Sequence, residues 1–152
     1  MIYFLDTSAL AKRYLTEKGS VRIRRLLQRK EHVFYQSFLT PLEVASALYR
    51  RLRSNDISPD ELSLFLRAYV THSHQDYLLI PYTDALCNRA SALVARHVLR
   101  ALDALQLASA LELRDRLATE RLTLNFLSAD DRLLEAARQE HLQAENPEKL
   151  RS

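Results

Sequence analysis

The sequence contains one glycine, Gly19, one cysteine, Cys87, four prolines and no tryptophan in 152 residues. So little glycine, with no Asn-Gly or Asp-Gly pair, excludes the tight two-residue turns on which β-hairpins depend, and any sheet is expected to be parallel. A lone cysteine excludes an internal disulfide and a thiolate zinc cluster. Cys87, within ALCNRASALV, is expected to pack in the core. No run approaches the roughly eighteen consecutive apolar residues that cross a bilayer. Met1 leads into an apolar segment without a basic leader or cleavage site, so the expected location is the cytoplasm, with no membrane partner. A strong excess of one charge is missing too: a formal charge of +3 and a pI near 9.2 permit a nucleic-acid partner without requiring one.

What is present is ordinary globular composition, 47% hydrophobic and 27% charged. The length suits one domain that buries roughly two thirds of its unfolded surface. Short apolar runs at 2–5, 33–36, 77–81 and 124–127 read as strands, separated by long segments of helical periodicity at 9–15, 21–30, 42–53, 59–70, 84–99, 103–117 and 131–140. This alternation predicts an α/β fold, a three-layer α/β/α sandwich with a central parallel sheet of four to five strands. Ser58, followed by Pro59 and Glu61, marks a helix start, and the helices at 42–53 and 59–70 form a hairpin. A short strand is expected at 142–144. Residues 1–146 are read as a single domain and 147–152 as a polar tail.

The first strand, IYFL, ends in a carboxylate, Asp6, followed by the hydroxyls of Thr7 and Ser8. In a parallel α/β sheet, ligands bind along the edge formed by the carboxyl ends of the strands. Topology delivers Asp6, Glu43 and Asp130 to that edge. Each acid also has a structural explanation. Thr40-Pro-Leu-Glu43 and Ser128-Ala-Asp-Asp131 match helix-capping patterns, and Asp6 and Asp103 suit helix starts. Convergence favours chemistry over capping, because clustered carboxylates repel unless a cation neutralises them. Without histidine or cysteine ligands, that cation is a hard one, Mg²⁺ or Mn²⁺, suited to phosphodiester hydrolysis.

MIYFLDTSAL, TPLEVASAL, LRALDALQLASAL and NFLSADDRLLEAA resemble, in order and spacing, the four acidic motifs of PIN-domain nucleases, particularly the VapC-like toxins of toxin–antitoxin pairs. The resemblance covers nearly the whole chain. It implies an acidic site of Asp6, Glu43, Asp103 and Asp130, with Asp131 as a capping neighbour, and brings in Asp103, which the strand argument does not reach. It further implies a Mg²⁺- or Mn²⁺-dependent endoribonuclease leaving 5′-phosphate and 3′-hydroxyl ends, a homodimer, and a cognate antitoxin partner. Thr7, Ser8 and Ser128 are candidates to orient carboxylates, and Gln106 stands where many relatives have histidine.

Lys12, Arg13 and Arg100, near Asp6 or Asp103 in sequence, are candidate phosphate contacts of an RNA substrate. The other arginine clusters, at 22, 25 and 29 and at 50, 51 and 53, read as solvated faces or favourable helix ends. His72 and His74 are expected at the surface. A phosphatase of the aspartyl-phosphate type is disfavoured, because Ser8 stands where that chemistry needs a second aspartate. A non-catalytic RNA- or protein-binding module on the same fold is the alternative.

Overall fold

The computed structural model describes residues 1–149. Strand β1, Ile2–Leu5, is apolar throughout because both its faces are covered. Phe4 turns toward one buried cluster, Tyr3 and Leu5 toward the other. Strands β2 (Val33–Ser37), β3 (Tyr77–Ile80), β4 (Leu124–Leu127) and β5 (Gln143–Glu145) complete a five-stranded sheet in the order β3-β2-β1-β4-β5, with every pairing parallel. Ile2 stands opposite Val33 on one side and Leu124 on the other, so the three central strands start level, and β1 and β4 also end level, Leu5 beside Leu127.

One layer holds α1 (Thr7–Leu10), α2 (Ser20–Leu27), α3 (Thr40–Arg53) and α4 (Pro59–Gln75); the opposite layer holds α5 (Asp84–Arg96), α6 (Ala101–Thr119) and α7 (Asp131–Gln139). The expected three-layer α/β/α fold is the one found, with five strands. No helix among the described residues is long and apolar enough to cross a membrane.

Several boundaries depart from the expectations. The first helix starts at Thr7, two residues early, because Asp6 caps it through Ser8 N–H, and it tightens into a 3₁₀ turn at Ala11–Arg13. Helix α4 runs to Gln75 rather than 70, since Phe65, Tyr69 and His72 continue one packed stripe. His72 is half-buried and hydrogen-bonded to Tyr14 at 3.0 Å, not free at the surface. Cys87 is half-buried rather than in the core. Residues 147–149 do not trail away: Pro147 is buried, Glu148 pairs with Lys12 and Lys149 with Asp131. Residues 150–152 of the expected tail lie outside the described residues.

The scarcity of glycine has a structural price at the helix ends. Helices α3, α6 and α7 each close with two backbone bonds of the Schellman type: Asn55 N and Asp56 N to Leu52 O and Arg51 O, Arg121 N and Leu122 N to Ala118 O and Leu117 O, His141 N and Leu142 N to Arg138 O and Ala137 O. This geometry puts Asn55, Arg121 and His141 at φ of 57°, 58° and 64°, where glycine normally stands. Arg121→Gly is therefore expected to stabilise the fold by roughly 0.5–1 kcal/mol, part of the strain relief being offset by the freer unfolded chain. Urea unfolding checks this; a loss of stability would mean that the arginine stem contributes more than the backbone strain costs. Gly19 itself sits at φ 86°, with Pro147 O only 3.1 Å from where a Cβ would lie.

Candidate active site

Asp6 is pinned at the carboxyl end of β1 from both sides. Its N–H donates to Leu127 O of β4 at 3.0 Å, and its carbonyl accepts from Ala9 N and Leu10 N at 3.0 and 2.9 Å. Its side chain is buried, and three donors converge on one carboxylate oxygen: Oδ2 accepts from Ser8 N at 3.2 Å, Ser8 Oγ at 2.5 Å and Ser128 Oγ at 2.9 Å. The two serines are themselves tied to the turn after β4, Ser8 Oγ accepting from Ala129 N at 2.8 Å and Ser128 Oγ from Asp130 N at 3.0 Å. Oδ1 receives no hydrogen bond among the described residues. Burial pushes the Asp6 carboxyl up from 3.8 to about 6; the serine hydroxyls pull it back in part, and the negative charge of Glu43 adds to the rise.

Glu43 lies in the first turn of α3, half-buried. The expected Thr40 capping box does not form. Leu39 is the N-cap with no side-chain hydrogen bond, Thr40 is buried, and the Glu43 carboxylate turns to a different set of donors. Its Oε2 accepts from Thr7 Oγ1 at 2.7 Å and from Gln106 Nε2 at 2.5 Å. Gln106, from the middle of α6 and only 1% exposed, also donates to Thr7 Oγ1 at 3.0 Å and reaches Thr40 Oγ1 at 3.4 Å. Donors from α1 and α6 thus hold a carboxylate carried by α3. The roles of Gln106 and Thr40 escaped the sequence reading; the available signal was a glutamine inside the otherwise apolar stretch ALQLASAL of α6.

Asp103 sits in the first turn of α6, 3.2 Å from Arg100 Nε. Asp130 is the N-cap of α7, its Oδ1 accepting from Arg132 N and Leu133 N at 2.9 and 3.3 Å. The expected division of labour between the neighbouring aspartates is therefore corrected: Asp130 performs the capping, while Asp131, exposed, binds Lys149 and Asn146. Those two partners hold the Asp131 carboxyl below its ordinary range.

Two of the three candidate phosphate contacts are engaged elsewhere. Lys12 is 2% exposed, its Nζ bound to Glu17 at 2.8 Å and Glu148 at 2.6 Å, because the short helical segment after Asp6 turns it inward against the C-terminal segment. Arg13 binds Asp76 and the hydroxyl of Tyr77, the first residue of β3, which puts its guanidinium at the amino edge of the sheet. Arg100 alone stays beside an acid of the set, 75% exposed. A cavity of about 450 Å³ opens next to Ser8 and Ala129, lined also by Lys12, Arg50, Arg51 and Glu148.

The donor set is all oxygen, which suits a hard divalent cation in kind. In arrangement, Asp6 and Glu43 are near enough for the charge of one to shift the other. The carboxylates of Asp103 and Asp130 join neither hydrogen-bond network, Asp130 touching that of Asp6 only through its backbone N–H, and among the described residues no three His, Cys, Asp or Glu side chains are gathered as a metal-holding group.

A parallel three-layer sandwich with polar side chains buried at the carboxyl edge of its sheet defines an α/β protein, and that edge is where such folds bind ligands. The PIN domain family matches residues 3–139, and the chain belongs to that family. No curated protein matches it. Solved structures of similar fold include FitAB bound to an IR36 DNA fragment, with a TM-score of 0.65 at 16% identity over 100% of this chain and 99% of that one. VapC20 of Mycobacterium tuberculosis, described as a sarcin-ricin loop cleaving toxin, aligns at TM-score 0.62 and 20% identity over 88% of this chain and 94% of that one. VapBC-1 from nontypeable Haemophilus influenzae aligns at TM-score 0.65 and 14% identity over 98% and 100% of the two chains.

Proposed function

We propose that this protein is a metal-dependent endoribonuclease, the toxin of a toxin–antitoxin pair. The observation that carries the reading is Asp6: a buried carboxylate on a rigid strand end, one oxygen saturated by serine donors and the other without a donor among the described residues, beside a second carboxylate. A carboxyl whose ionisation is opposed by burial gains most from a cation. Asp6 and Glu43, with Asp103 and Asp130, would hold Mg²⁺ or Mn²⁺. When bound, such an ion supplies Lewis acidity toward the phosphodiester and acidifies water. Ser8 and Ser128 hold Asp6 Oδ2, Thr7 holds Glu43, and exposed Arg100 meets the phosphate backbone. The fold-similar proteins include one described as a toxin and one described as a toxin–antitoxin complex, which supports an antitoxin partner; action in the cytoplasm and a homodimer belong to the same proposal.

That no three-carboxylate group forms among the described residues favours the alternative, a binding module without catalysis. One experiment separates them: cleavage of mixed cellular RNA with Mn²⁺ or Mg²⁺, beside an EDTA control and Asp103→Asn. Cutting that needs both the metal and Asp103 is the expected result. Binding of RNA without cutting in any metal would leave the module reading in place.

A further inference from the structure

The buried carboxylate of Asp6 and the half-buried one of Glu43 share a pattern. Among the described residues three donors load Asp6 Oδ2 and none loads Oδ1; Thr7 and Gln106 both donate to Glu43 Oε2 and none of their bonds goes to Oε1. The Asp6 clamp is local, made by the residues around the strand end. The Glu43 clamp depends on a side chain from the opposite layer, Gln106.

The orientation of Gln106 follows from its neighbours. An ionised carboxylate only accepts, so the amide must present Nε2 to Glu43; turned over, Oε1 would face Oε2, acceptor against acceptor. Thr7 has a single hydroxyl proton, spent on Glu43, so its lone pairs accept from Gln106 as well. The consequence is an unpartnered Gln106 Oε1, buried among the described residues without a donor. A methionine or leucine in the same place would avoid that unmet carbonyl. Packing alone therefore does not call for glutamine here.

Resting on the nuclease reading above, we infer that Gln106 is a positioning residue: it clamps Glu43 Oε2, together with Thr7, so that Oε1 remains available as a cation ligand. The orphan carbonyl is the structural cost of presenting an N–H at that point. Groups that orient metal ligands in this way typically affect affinity by about 10- to 100-fold.

The test compares wild type with Gln106→Met and Gln106→His, the histidine retaining a ring N–H donor. Mn²⁺ affinity is measured by calorimetry with the metal alone, alongside thermal unfolding and the separate kcat and KM for RNA. Gln106→Met is expected to unfold within about 3 °C of wild type, to bind Mn²⁺ about tenfold or more weakly, and to lose kcat rather than KM. Gln106→His is expected to recover most of the affinity. A purely structural role predicts the opposite, a clear loss of melting temperature with Mn²⁺ affinity unchanged in whatever remains folded. Should Gln106→Met not fold, the wild type still decides: the Gln106 side-chain amide protons are expected to exchange slowly and to shift on titration with Mg²⁺, and fast exchange with no shift overturns the inference. A wild type that binds Mn²⁺ and cuts RNA beside an equally competent Gln106→Met overturns this inference alone. A wild type that neither binds Mn²⁺ nor cuts RNA overturns the nuclease reading and the inference with it.

Discussion

Asp6→Asn is expected to reduce RNA cleavage on the order of a thousandfold while making the metal-free protein more stable above pH 6. Both effects come from the same burial. In the unfolded chain this carboxyl ionises near its ordinary 3.8, and in the folded protein burial, with the Glu43 charge adding, moves it to about 6. Between those values the folded state holds the extra proton, so the contribution of this group to stability is full below about pH 3.8 and is lost as pH rises through 6. The difference corresponds to roughly 3 kcal/mol as an upper bound. Asparagine is neutral throughout, keeps an oxygen to accept from Ser8 and Ser128, and has no titration to lose. Its advantage over wild type should be near zero at pH 4 and largest above pH 6.5, in EDTA, by urea unfolding. A stability gap that ignores pH would mean that Asp6 is solvated rather than buried. Undiminished cleavage by the variant would end the catalytic reading, whatever the stability does.

How much of this was legible beforehand depended on whether the cause was local. The run IYFL and the box Ser58-Pro-Asp-Glu61 act through neighbours in sequence; the strand formed as read, and both capping bonds at Ser58 are present. Helix ends were less legible, because the usual stop signal, glycine, is missing at Asn55, Arg121 and His141, and their backbone adopts the glycine conformation without announcing it. Thr40-Pro-Leu-Glu43 looked like a box of the same kind as Ser58. It failed because α6, some sixty residues away, offers Glu43 better-placed donors than its own helix end does. Ser128-Ala-Asp-Asp131 misled by one residue: the pattern allows either aspartate to cap, and the Asp130 bond to Ser128 Oγ fixes the chain so that Asp130 does. The acids at strand ends were readable from topology, whereas whether they gather as one metal-holding group is a matter of side-chain distance, which a sequence does not carry, and among the described residues no three do.

Lys12 and Arg100 make the clearest contrast, since sequence placed both beside phosphate and the structure separates them by burial. Lys12→Met is expected to lower unfolding stability by about 2–3 kcal/mol. Removing one partner of a buried ion pair costs roughly 3–5 kcal/mol, reduced here because Glu17 and Glu148 each keep partial contact with water. Glu17 retains Arg51 at 2.7 Å after the change, but Glu148 loses its ammonium partner. The effect should therefore spread along the C-terminal segment that Glu148 anchors, where Pro147 rests on Gly19 and Lys149 reaches Asp131. Faster hydrogen exchange at Lys149 N, now bonded to Asn146 O, would report it. Arg100→Ala, by contrast, should change stability by no more than about 0.5 kcal/mol, its side chain being largely in water, and should weaken RNA cleavage through KM. Salt separates the two cases further: an exposed arginine on a phosphate loses its effect as ionic strength rises, and the buried lysine much less. If Lys12→Met unfolds like wild type and raises KM for RNA, the lysine leaves its carboxylates to meet substrate, and Glu148 would then be a counter-ion that RNA displaces rather than an anchor of the chain end.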